Sequence, residues 1–385
     1  MKVRFTLAAI VFMAVGVLVP TPASASVAGT PTLVAGGLDS PRGVEFLKGK
    51  LMVAEAGHGG KNCIAGTPTI CFGRTSQISQ VNTATGTHVA IVDHLFSADE
   101  FFGPNDPGSP LGVSGISARD GKLMAIVGVF PQAFANYQCA AADAECVADV
   151  DAAKKEAGAL LSVKANGAWR KVAGVGAFGF DYTANIPNQE HDSNPNGVLA
   201  VNGGSYVADA GANTLVFVNN GGHISVLDYF PFRQDAFPTD EVPTCIAKAG
   251  DGLWVATLAG RLYRVHGRSA TLVANSDLKH VTGCTADGQG NAYFVNMWTT
   301  PTPPQPFTGD IVKIDTEGTS SVIASGLNFP NMDVVGPDGN LYFSADSTCP
   351  AAGIPGFCPH GGTVWKLALS HDNGEGGGDK SNHRD

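Results

Sequence analysis

The chain has 385 residues, of which 49 are Gly and only 15% are charged, and its formal net charge at pH 7 is −10. An acidic chain without a basic, aromatic-interleaved stripe is a poor partner for a polyanion, so we expect no nucleic-acid binding. Abundant Gly and few charges are typical of many tight turns that join strands buried on both faces.

Residues 1–25 are predicted to be a signal peptide. Lys2 and Arg4 precede an apolar run over residues 7–19, and Ala23, Ser24 and Ala25 fit a cleavage site of small residues. The apolar run is too short to span a bilayer, and no later stretch approaches that length. We therefore expect a secreted, extracellular protein with no membrane span.

From residue 26 to residue 370 the chain repeats a unit of four short strands. Residues 189–227 show it most clearly, because four runs rich in β-branched and aromatic residues alternate with turns that contain Gly or Asn. The second strand of each unit carries an aromatic residue or Met, and these markers are Met52, Met124, Tyr206, Trp254, Tyr293 and Tyr342. The shorter spacings between them fit propeller blades of about 40 to 50 residues. The sequence therefore predicts an all-β, six-bladed β-propeller as a single domain.

The sixth unit lacks a fourth strand of its own. Residues 32–41, TLVAGGLDSP, closely resemble residues 321–330, SVIASGLNFP, which end the fifth unit and begin the sixth. We therefore expect the N-terminal strand to complete the last blade, which removes two exposed sheet edges. Residues 371–385 contain too little apolar surface to order themselves and are predicted to be a disordered tail.

Eight cysteines in an exported chain favour disulfides over a metal site or free thiols. Three pairs lie close together inside long connections and are expected to bond locally: Cys63 with Cys71, Cys139 with Cys146, and Cys349 with Cys358. Cys245 and Cys284 both lie nine residues before the aromatic marker of their unit, which favours a bridge between blades four and five. The first turn of the fifth unit looks one residue longer, however, and such a slip turns Cys284 to the opposite face, so this pairing stays open.

All the long connections are predicted to lie on one face of the propeller. Connections alternate between the two faces of a meander, and one set is short throughout, whereas the other comprises 55–75, 93–111, 128–157, 174–192, 228–242, 297–308 and 346–361. Loops held by a rigid scaffold usually carry binding, so we place the site on this face, around the central channel. Residues 139–157 are rich in helix formers and end at Gly158, which predicts a short helix acting as a lid or a passive cap.

Ten residues are predicted to surround the channel mouth, because they enter the first strand, leave the second strand, or lead into the third unit. They are Arg42, Glu55, Ser114, Asp192, Asn194, Asn196, Asp209, Thr282, Asn296 and Asn331. Oxygen-rich sets suit Ca²⁺ or Mg²⁺ better than softer metals, so either ion is a candidate. Asp and Asn also cap turns at such positions, and Asp209 is the clearest case of that alternative. His191, beside a carboxylate, is interpreted as a turn or packing residue rather than a general base.

Several segments resemble the ScyD/ScyE family of exported proteins, an NHL-like propeller family. They are SPRGVEF, DSNPNGV, YVADAGANTL and ASGLNFPNMDVVGPDGNLYFSADS, and the resemblance covers nearly the whole mature chain. It implies an accessory role linked to a secreted sunscreen pigment, scytonemin, and implies no catalytic residues.

The chain is more distantly similar to the gluconolactonase and streptogramin-lyase propellers. The lactonase pattern implies an acidic ligand from the first blade with Asn and Asp ligands lining the channel. Glu45 or Glu55, with Asn196 and Asn296, match it by position, although the sequence around Glu45 departs from that pattern.

Three functions are compatible with these features. The first is an exported, monomeric binding or accessory protein whose partner is a small molecule or an extracellular protein. The second is a metal-dependent hydrolase or lyase of a small cyclic ester, and the third is a cell-envelope module that uses its acidic outer surface. The enzyme needs several convergent metal ligands with an open coordination position, whereas the binding protein needs only a shaped groove. The chain contains no G-x-S-x-G elbow, H-E-x-x-H motif or P-loop.

Overall fold

The computed structural model describes residues 29–369, except residues 104, 105, 107, 232–239, 274, 276 and 302. The predicted signal peptide and the predicted tail therefore lie outside the described residues. The described chain forms six antiparallel sheets arranged as a six-bladed β-propeller, which confirms the predicted fold class.

From the channel outward the strands of blades 1 to 5 follow chain order, except that β4 (Asn62–Ile64) of blade 1 pairs with β5 (Thr69–Val81) beside the main path. The first strand of the chain is β1 (Thr32–Leu38). Blade 1 contains β2 (Pro41–Leu47), β3 (Lys50–Glu55), β4 (Asn62–Ile64), β5 (Thr69–Val81), β6 (His88–Phe101) and β7 (Ser109–Leu111). Blade 2 contains β8 (Val113–Arg119), β9 (Lys122–Val127), β10 (Ala159–Lys164) and β11 (Trp169–Gly174). Blade 3 contains β12 (Pro195–Val201), β13 (Gly204–Asp209), β14 (Thr214–Asn219) and β15 (Ile224–Tyr229).

The remaining blades have the same plan. Blade 4 contains β16 (Pro243–Ala249), β17 (Gly252–Thr257), β18 (Leu262–His266) and β19 (Ser269–Val273). Blade 5 contains β20 (Val281–Ala286), β21 (Ala292–Asn296), β22 (Gly309–Ile314) and β23 (Ser320–Leu327). Blade 6 contains β24 (Asp333–Val335), β25 (Leu341–Ala345) and β26 (Gly362–Leu367), and its outermost strand is β1.

The six inner strands form a closed ring around the channel. Each of β2, β8, β12, β16, β20 and β24 contacts the next, and β24 contacts β2. Tight hairpins allow this regular repeat: Lys48 and Gly49 both have positive φ (51° and 76°), as do Asp120 and Gly121 (51° and 71°). Two consecutive residues with positive φ are typical of the two-residue turn whose twist matches that of the flanking strands.

Strand β1 pairs antiparallel with β26, from Thr32 opposite Lys366 to Leu38 opposite Gly362. Ala35 (3% exposed) and Leu38 (0%) are its buried side chains and pack against blade 1, whereas Leu33 is 43% exposed. These two residues join β1 to the apolar core between blades 6 and 1.

Apolar residues fill the spaces between adjacent blades and the space beneath the blade 2 insertion. That insertion contains a 3₁₀ turn, η1 (Pro131–Phe134), and helix α1 (Ala144–Glu156), which is shorter than the predicted 139–157. Asp143 caps α1 by accepting a bond from the N–H of Cys146. Asp149 anchors the helix to blade 1, since its carboxylate accepts bonds from Arg74 Nε (2.8 Å) and Asn62 Nδ2 (2.7 Å).

A second helix, α2 (Val175–Thr183), was not predicted. Its sequence contains two glycines and two phenylalanines, which are poor helix formers, so tertiary packing decides its conformation. At Gly176 a Cβ atom would lie 2.5 Å from the Val129 carbonyl and 2.7 Å from Gly158 Cα. Only Gly allows α2 to approach the preceding connection this closely.

Four disulfides are present: the three expected local pairs and the Cys245–Cys284 pair, which the sequence left open. The local pairs Cys63–Cys71, Cys139–Cys146 and Cys349–Cys358 span seven to nine residues, and Cys245–Cys284 joins blades 4 and 5. None of the helices described in the structure is long and apolar enough to cross a bilayer.

Candidate functional site

Five of the six inner strands, β2, β8, β12, β16 and β20, begin with a β-bulge, in which the inner strand carries one more residue than its partner. In blade 3, Pro195 lies opposite Asp209 and Gly197 lies opposite Ala208, so Asn196 is the extra residue. The same shift occurs at Thr244 in blade 4 and at Thr282 in blade 5. A bulge redirects a side chain away from the regular alternation of the strand.

The bulge residues meet at one end of the channel, where they line a cavity of about 290 Å³. We define the channel ring as the five bulge residues together with Asn331, which lies just before β24: Arg42, Ser114, Asn196, Thr244, Thr282 and Asn331. Five of them were predicted site residues, and Thr244 occupies the equivalent position in blade 4. Asp192 and Asn194 also line the cavity, so the structure brings seven of the ten predicted residues together.

The other three predicted residues, Glu55, Asp209 and Asn296, lie behind the cavity wall. All three are at most 1% exposed, and each lies at the end of its second strand, opposite a regularly paired residue. These positions lack the bulge, which explains why they do not reach the cavity. We refer to them as the scaffold residues.

The scaffold residues hold the backbone of the connections in place. Glu55 accepts bonds from Asp39 N (2.7 Å) and Ser79 Oγ (2.5 Å). Asn296 accepts a bond from Lys279 N (2.9 Å) and donates one to Asp310 Oδ1 (2.7 Å). These contacts match the turn-capping alternative considered for the sequence.

Asp209 has the same role in blade 3. Its Oδ1 accepts bonds from Asn194 N (2.8 Å) and Ala212 N (3.0 Å), and its Oδ2 accepts one from Ser193 Oγ (2.6 Å). Burial raises the pKa of Asp209 to about 6, although the accepted bonds oppose that shift. Asp209 thereby orients the segment that carries Asp192 and Asn194.

All seven long connections contribute to the cavity wall. One residue from each, in chain order, is Ala56, Glu100, Val129, Asp192, Asp240, Trp298 and Thr348. The sequence placed these connections on the correct face but did not single out Glu100, Asp240 or Trp298. Their positions depend on how each connection folds back over the ring, which no local sequence pattern encodes.

Two carboxyl groups in the wall, Glu100 and Asp192, have no basic side chain as a partner among the described residues. Glu100 is 3% exposed and makes no side-chain hydrogen bond or ion pair in the described part of the chain. Burial raises its pKa to about 8, with smaller contributions from Asp192, Asp99 and Asp106. Asp192 accepts one bond from Ser193 N (2.7 Å), and burial, with nearby carboxylates, raises its pKa to about 7. Both groups therefore gain protons near neutral pH.

Arg42 is the one basic residue in the channel ring. It donates a bond from Nη2 to the Pro110 carbonyl (2.7 Å). Burial lowers the pKa of Arg42 to about 10, and Asp99 opposes that shift. Arg42 in turn favours ionisation of Asp99, whose pKa burial raises to about 7. Arg42 and Asp99 thus each favour the charged form of the other, against the effect of burial.

The opposite side of the wall is apolar. Leu258, Met297, Trp298 and Phe329 line it, and Trp298 stacks on His280 with ring centroids 4.2 Å apart. Trp298 is 7% exposed, and its indole N–H has no partner among the described residues. Asn331, 3% exposed, likewise has an unpartnered Oδ1. Buried polar atoms without partners are uncommon in folded proteins.

His191 packs against aromatic rings. Its imidazole stacks on Phe180 with centroids 3.6 Å apart, and Phe180 stacks on Phe130 at 4.4 Å. His191 is also absent from the cavity wall. This geometry agrees with the packing interpretation made from the sequence.

The residues present do not fit a Ca²⁺ or Mg²⁺ site of the lactonase pattern. The first blade contributes Arg42 to the ring instead of an acid, and Glu55 and Asn296 are engaged in scaffold bonds. Glu45 accepts bonds from Ala118 N (2.9 Å) and Phe46 N (2.7 Å), away from the cavity. Within the described ranges, no group of three or more His, Cys, Asp or Glu residues converges as metal ligands.

Comparison with known proteins supports the fold. Residues 202–351 match the family described as SMP-30/Gluconolactonase/LRE-like region. No protein of curated function matches the chain. A gluconolactonase of Xanthomonas campestris is 9% identical, with 91% of this chain and 99% of that chain covered and a TM-score of 0.51. A protein of unknown function from Bacteroides thetaiotaomicron is 7% identical, with 89% and 72% covered and a TM-score of 0.52. At these identities the likeness shows the fold alone.

Proposed function

We propose that this protein is an exported binding protein that holds a small organic molecule in the channel-mouth cavity. The observation that carries the proposal is the convergence of the channel ring and all seven long connections on one cavity of about 290 Å³. Ligand sites are typically concave, largely apolar and equipped with a few polar groups. A recessed cavity also suits a small molecule better than the surface of another protein.

Export is part of this proposal. The four disulfides are compatible with an oxidising, extracellular environment. The predicted signal peptide supports the same location, and the resemblance to the ScyD/ScyE family supports an accessory rather than a catalytic role.

A fragment screen by ligand-observed NMR tests the proposal. Leu258→Trp fills the apolar side of the cavity, and Leu272→Trp adds the same side chain on outer strand β19, where Leu272 is 48% exposed. We expect fragments to bind the native protein and the Leu272→Trp variant, but to bind the Leu258→Trp variant weakly or not at all. Fragments that bind all three proteins equally, with folding confirmed by circular dichroism, would contradict the proposal.

A second candidate is a lactonase-like hydrolase, and two observations favour it. The match over residues 202–351 points to the gluconolactonase-like region, and Glu100 and Asp192 are a carboxyl pair with raised pKa values in one cavity. Such a pair suits general acid–base catalysis, in which one carboxylate takes a proton and one carboxylic acid donates it.

Hydrolysis of glucono-1,5-lactone, measured with and without chelator, tests this candidate. We expect Glu100→Gln to abolish any turnover, whereas Glu317→Gln, on an exposed turn at the opposite face, should retain it. Turnover that survives in Glu100→Gln would exclude the carboxyl pair as its origin.

A further inference from the structure

The walls of the cavity differ in chemistry from side to side. Glu100 and Asp192, from blade 1 and from the connection into blade 3, lie on its acidic side. Leu258, Trp298 and Phe329, from the side of blades 4 to 6, provide the apolar side. A ligand that satisfies both sides must itself be amphipathic.

We propose that the ligand carries a cationic N–H group, an ammonium or guanidinium, held between Glu100 and Asp192 with an apolar or aromatic body against Trp298. This inference rests on the proposed function of the cavity and specifies the chemistry of its ligand.

The charge balance of the wall supports a cation. The Arg42 guanidinium is already directed at the Pro110 carbonyl and is coupled to Asp99, so it leaves Glu100 and Asp192 without a counter-charge. Glu100 also lacks any side-chain hydrogen bond in the described structure. A buried carboxylate without a partner is costly, and a bound cation relieves that cost.

A second observation, independent of the carboxylates, also indicates a ligand. Asn331 Oδ1 and Trp298 Nε1 belong to cavity-lining side chains that are more than nine-tenths buried, and neither atom has a partner in the described chain. Asn331 Oδ1 accepts hydrogen bonds, which suits an N–H donor better than a quaternary ammonium. Trp298 Nε1 donates, which suits an acceptor on the same ligand.

The surroundings of the two carboxylates are acidic on every packed element. Asp99 and Asp106 face Glu100 from blade 1 and the connection after it. Asp209, Glu190 and Asp240 face Asp192 from blade 3 and the connections that flank it. A cation therefore enters a negative field, and it favours the ionised form of both carboxyl groups.

Three matched probes test the inference: 2-phenylethylammonium, 2-phenylethanol and 3-phenylpropionate. Their aromatic bodies are alike, so differences in affinity report the head group. We expect the ammonium to bind about tenfold or more tightly than the alcohol, since charge-assisted hydrogen bonds are the stronger ones. Titration calorimetry in buffers of different ionisation enthalpy should also show proton release on ammonium binding below pH 7, and none with the alcohol.

Variants separate the carboxylates from the rest of the cavity. Glu100→Gln and Asp192→Asn keep the side-chain shape, and each should remove most of the preference for the ammonium over the alcohol. Glu317→Gln is the matched control, because Glu317 lies exposed on the opposite face. The double variant Glu100→Gln/Asp192→Asn should show neither the preference for the ammonium nor proton release on binding.

The outcomes distinguish the inference from the proposed function. Tighter binding of the alcohol or the propionate, abolished by Leu258→Trp, would overturn the cation inference and leave the cavity as a binding site. Ammonium binding that is unchanged in Glu100→Gln and Asp192→Asn would also overturn it. Absence of binding by all three probes would overturn the inference, and the fragment screen with Leu258→Trp then decides the proposed function separately.

Discussion

Cys245 and Cys284 form a disulfide between neighbouring inner strands although their registers differ by one residue. Cys245 lies opposite Ala256, one residue before the end of β17, whereas Cys284 lies opposite Phe294, two residues before the end of β21. Propeller blades stack face to face, so a bridge must join the front of one sheet to the back of the next. Side chains alternate between faces, and the offset of one residue supplies the opposite orientation.

Removing this bridge should destabilise the protein more than removing a local one. Cys245 and Cys284 are 39 residues apart, whereas Cys63 and Cys71 are eight apart. Loop-closure entropy gives about 4 kcal/mol for the first pair and about 2.5 kcal/mol for the second. Chemical denaturation of Cys245→Ala/Cys284→Ala and Cys63→Ala/Cys71→Ala measures both losses. Equal losses would show that loop closure does not set the contribution of the blade 4–5 bridge.

Strand β1 should contribute to stability through its buried face. Leu38→Ala removes a fully buried side chain and should lower the free energy of unfolding by about 2–5 kcal/mol. Leu33→Ala, in the same strand but 43% exposed, should change it by less than about 0.5 kcal/mol. Thermal melts of the two variants provide the comparison. Similar melting temperatures would indicate that the buried face of β1 does not contribute to the stability of blade 6.

Replacing a scaffold residue should lower the free energy of unfolding more than replacing a residue of the channel ring. Asp209→Ala leaves Asn194 N and Ala212 N without their acceptor, at about 1–3 kcal/mol for each unpaired group. Asn196→Ala removes the acceptor of Ser114 Oγ and should cost about 1 kcal/mol. Asp209→Asn, which keeps one acceptor oxygen, should be intermediate. Urea unfolding of the three variants measures the order, and a larger loss in Asn196→Ala would reverse the assignment of scaffold and ring.

Asp333 should make stability depend on pH. It is 6% exposed on β24, neither carboxylate oxygen has a partner among the described residues, and burial raises its pKa well above the usual range. Because the folded-state pKa is raised, Asp333 lowers stability as pH rises above its unfolded pKa of about 4, by up to about 1.4 kcal/mol per pH unit. Asp333→Asn should therefore gain stability relative to the native protein from about pH 4 upward.

Asp338→Asn is the control with the opposite sign. Asp338 accepts bonds from Asn340 and Tyr342, and these bonds lower its pKa despite partial burial. Its contribution is present above its unfolded pKa and is lost as pH falls, so the variant should be less stable at neutral pH and equal to the native protein in acid. Denaturation curves recorded between about pH 3 and pH 8 test both variants. Parallel pH profiles for Asp333→Asn and the native protein would contradict the argument.

The regular part of the fold was predictable because short strands, tight turns and a second-strand marker repeat along the chain. The same repeat located the channel ring, since Arg42, Asn196 and Thr282 each enter the first strand of a unit. The repeat also grouped Glu55, Asp209 and Asn296 with the ring residues, because the ends of the first and second strands lie at the same level on one face of the propeller. The bulge that turns only the first group inward is a feature of pairing, and a single strand sequence does not display it.

The rest of the cavity wall depends on tertiary packing. Glu100 lies near the end of β6, whose length comes from pairing with β5, and Trp298 lies in a proline-rich connection stacked on His280. Helix α2 is a further example, because glycines that permit close approach outweigh weak helix propensity. Whether any of these residues contacts a ligand stays a prediction.

The pairing of β1 with β26 joins residues 334 positions apart in one sheet. Five blades are built from neighbouring segments and can form as the chain lengthens, whereas blade 6 must wait until residues 362–367 have been synthesised. We therefore expect closure of the ring to be a late folding event, limited by the search between distant segments. A chain interrupted before residue 362 would retain five blades and two open edges, and it would be prone to edge-to-edge association.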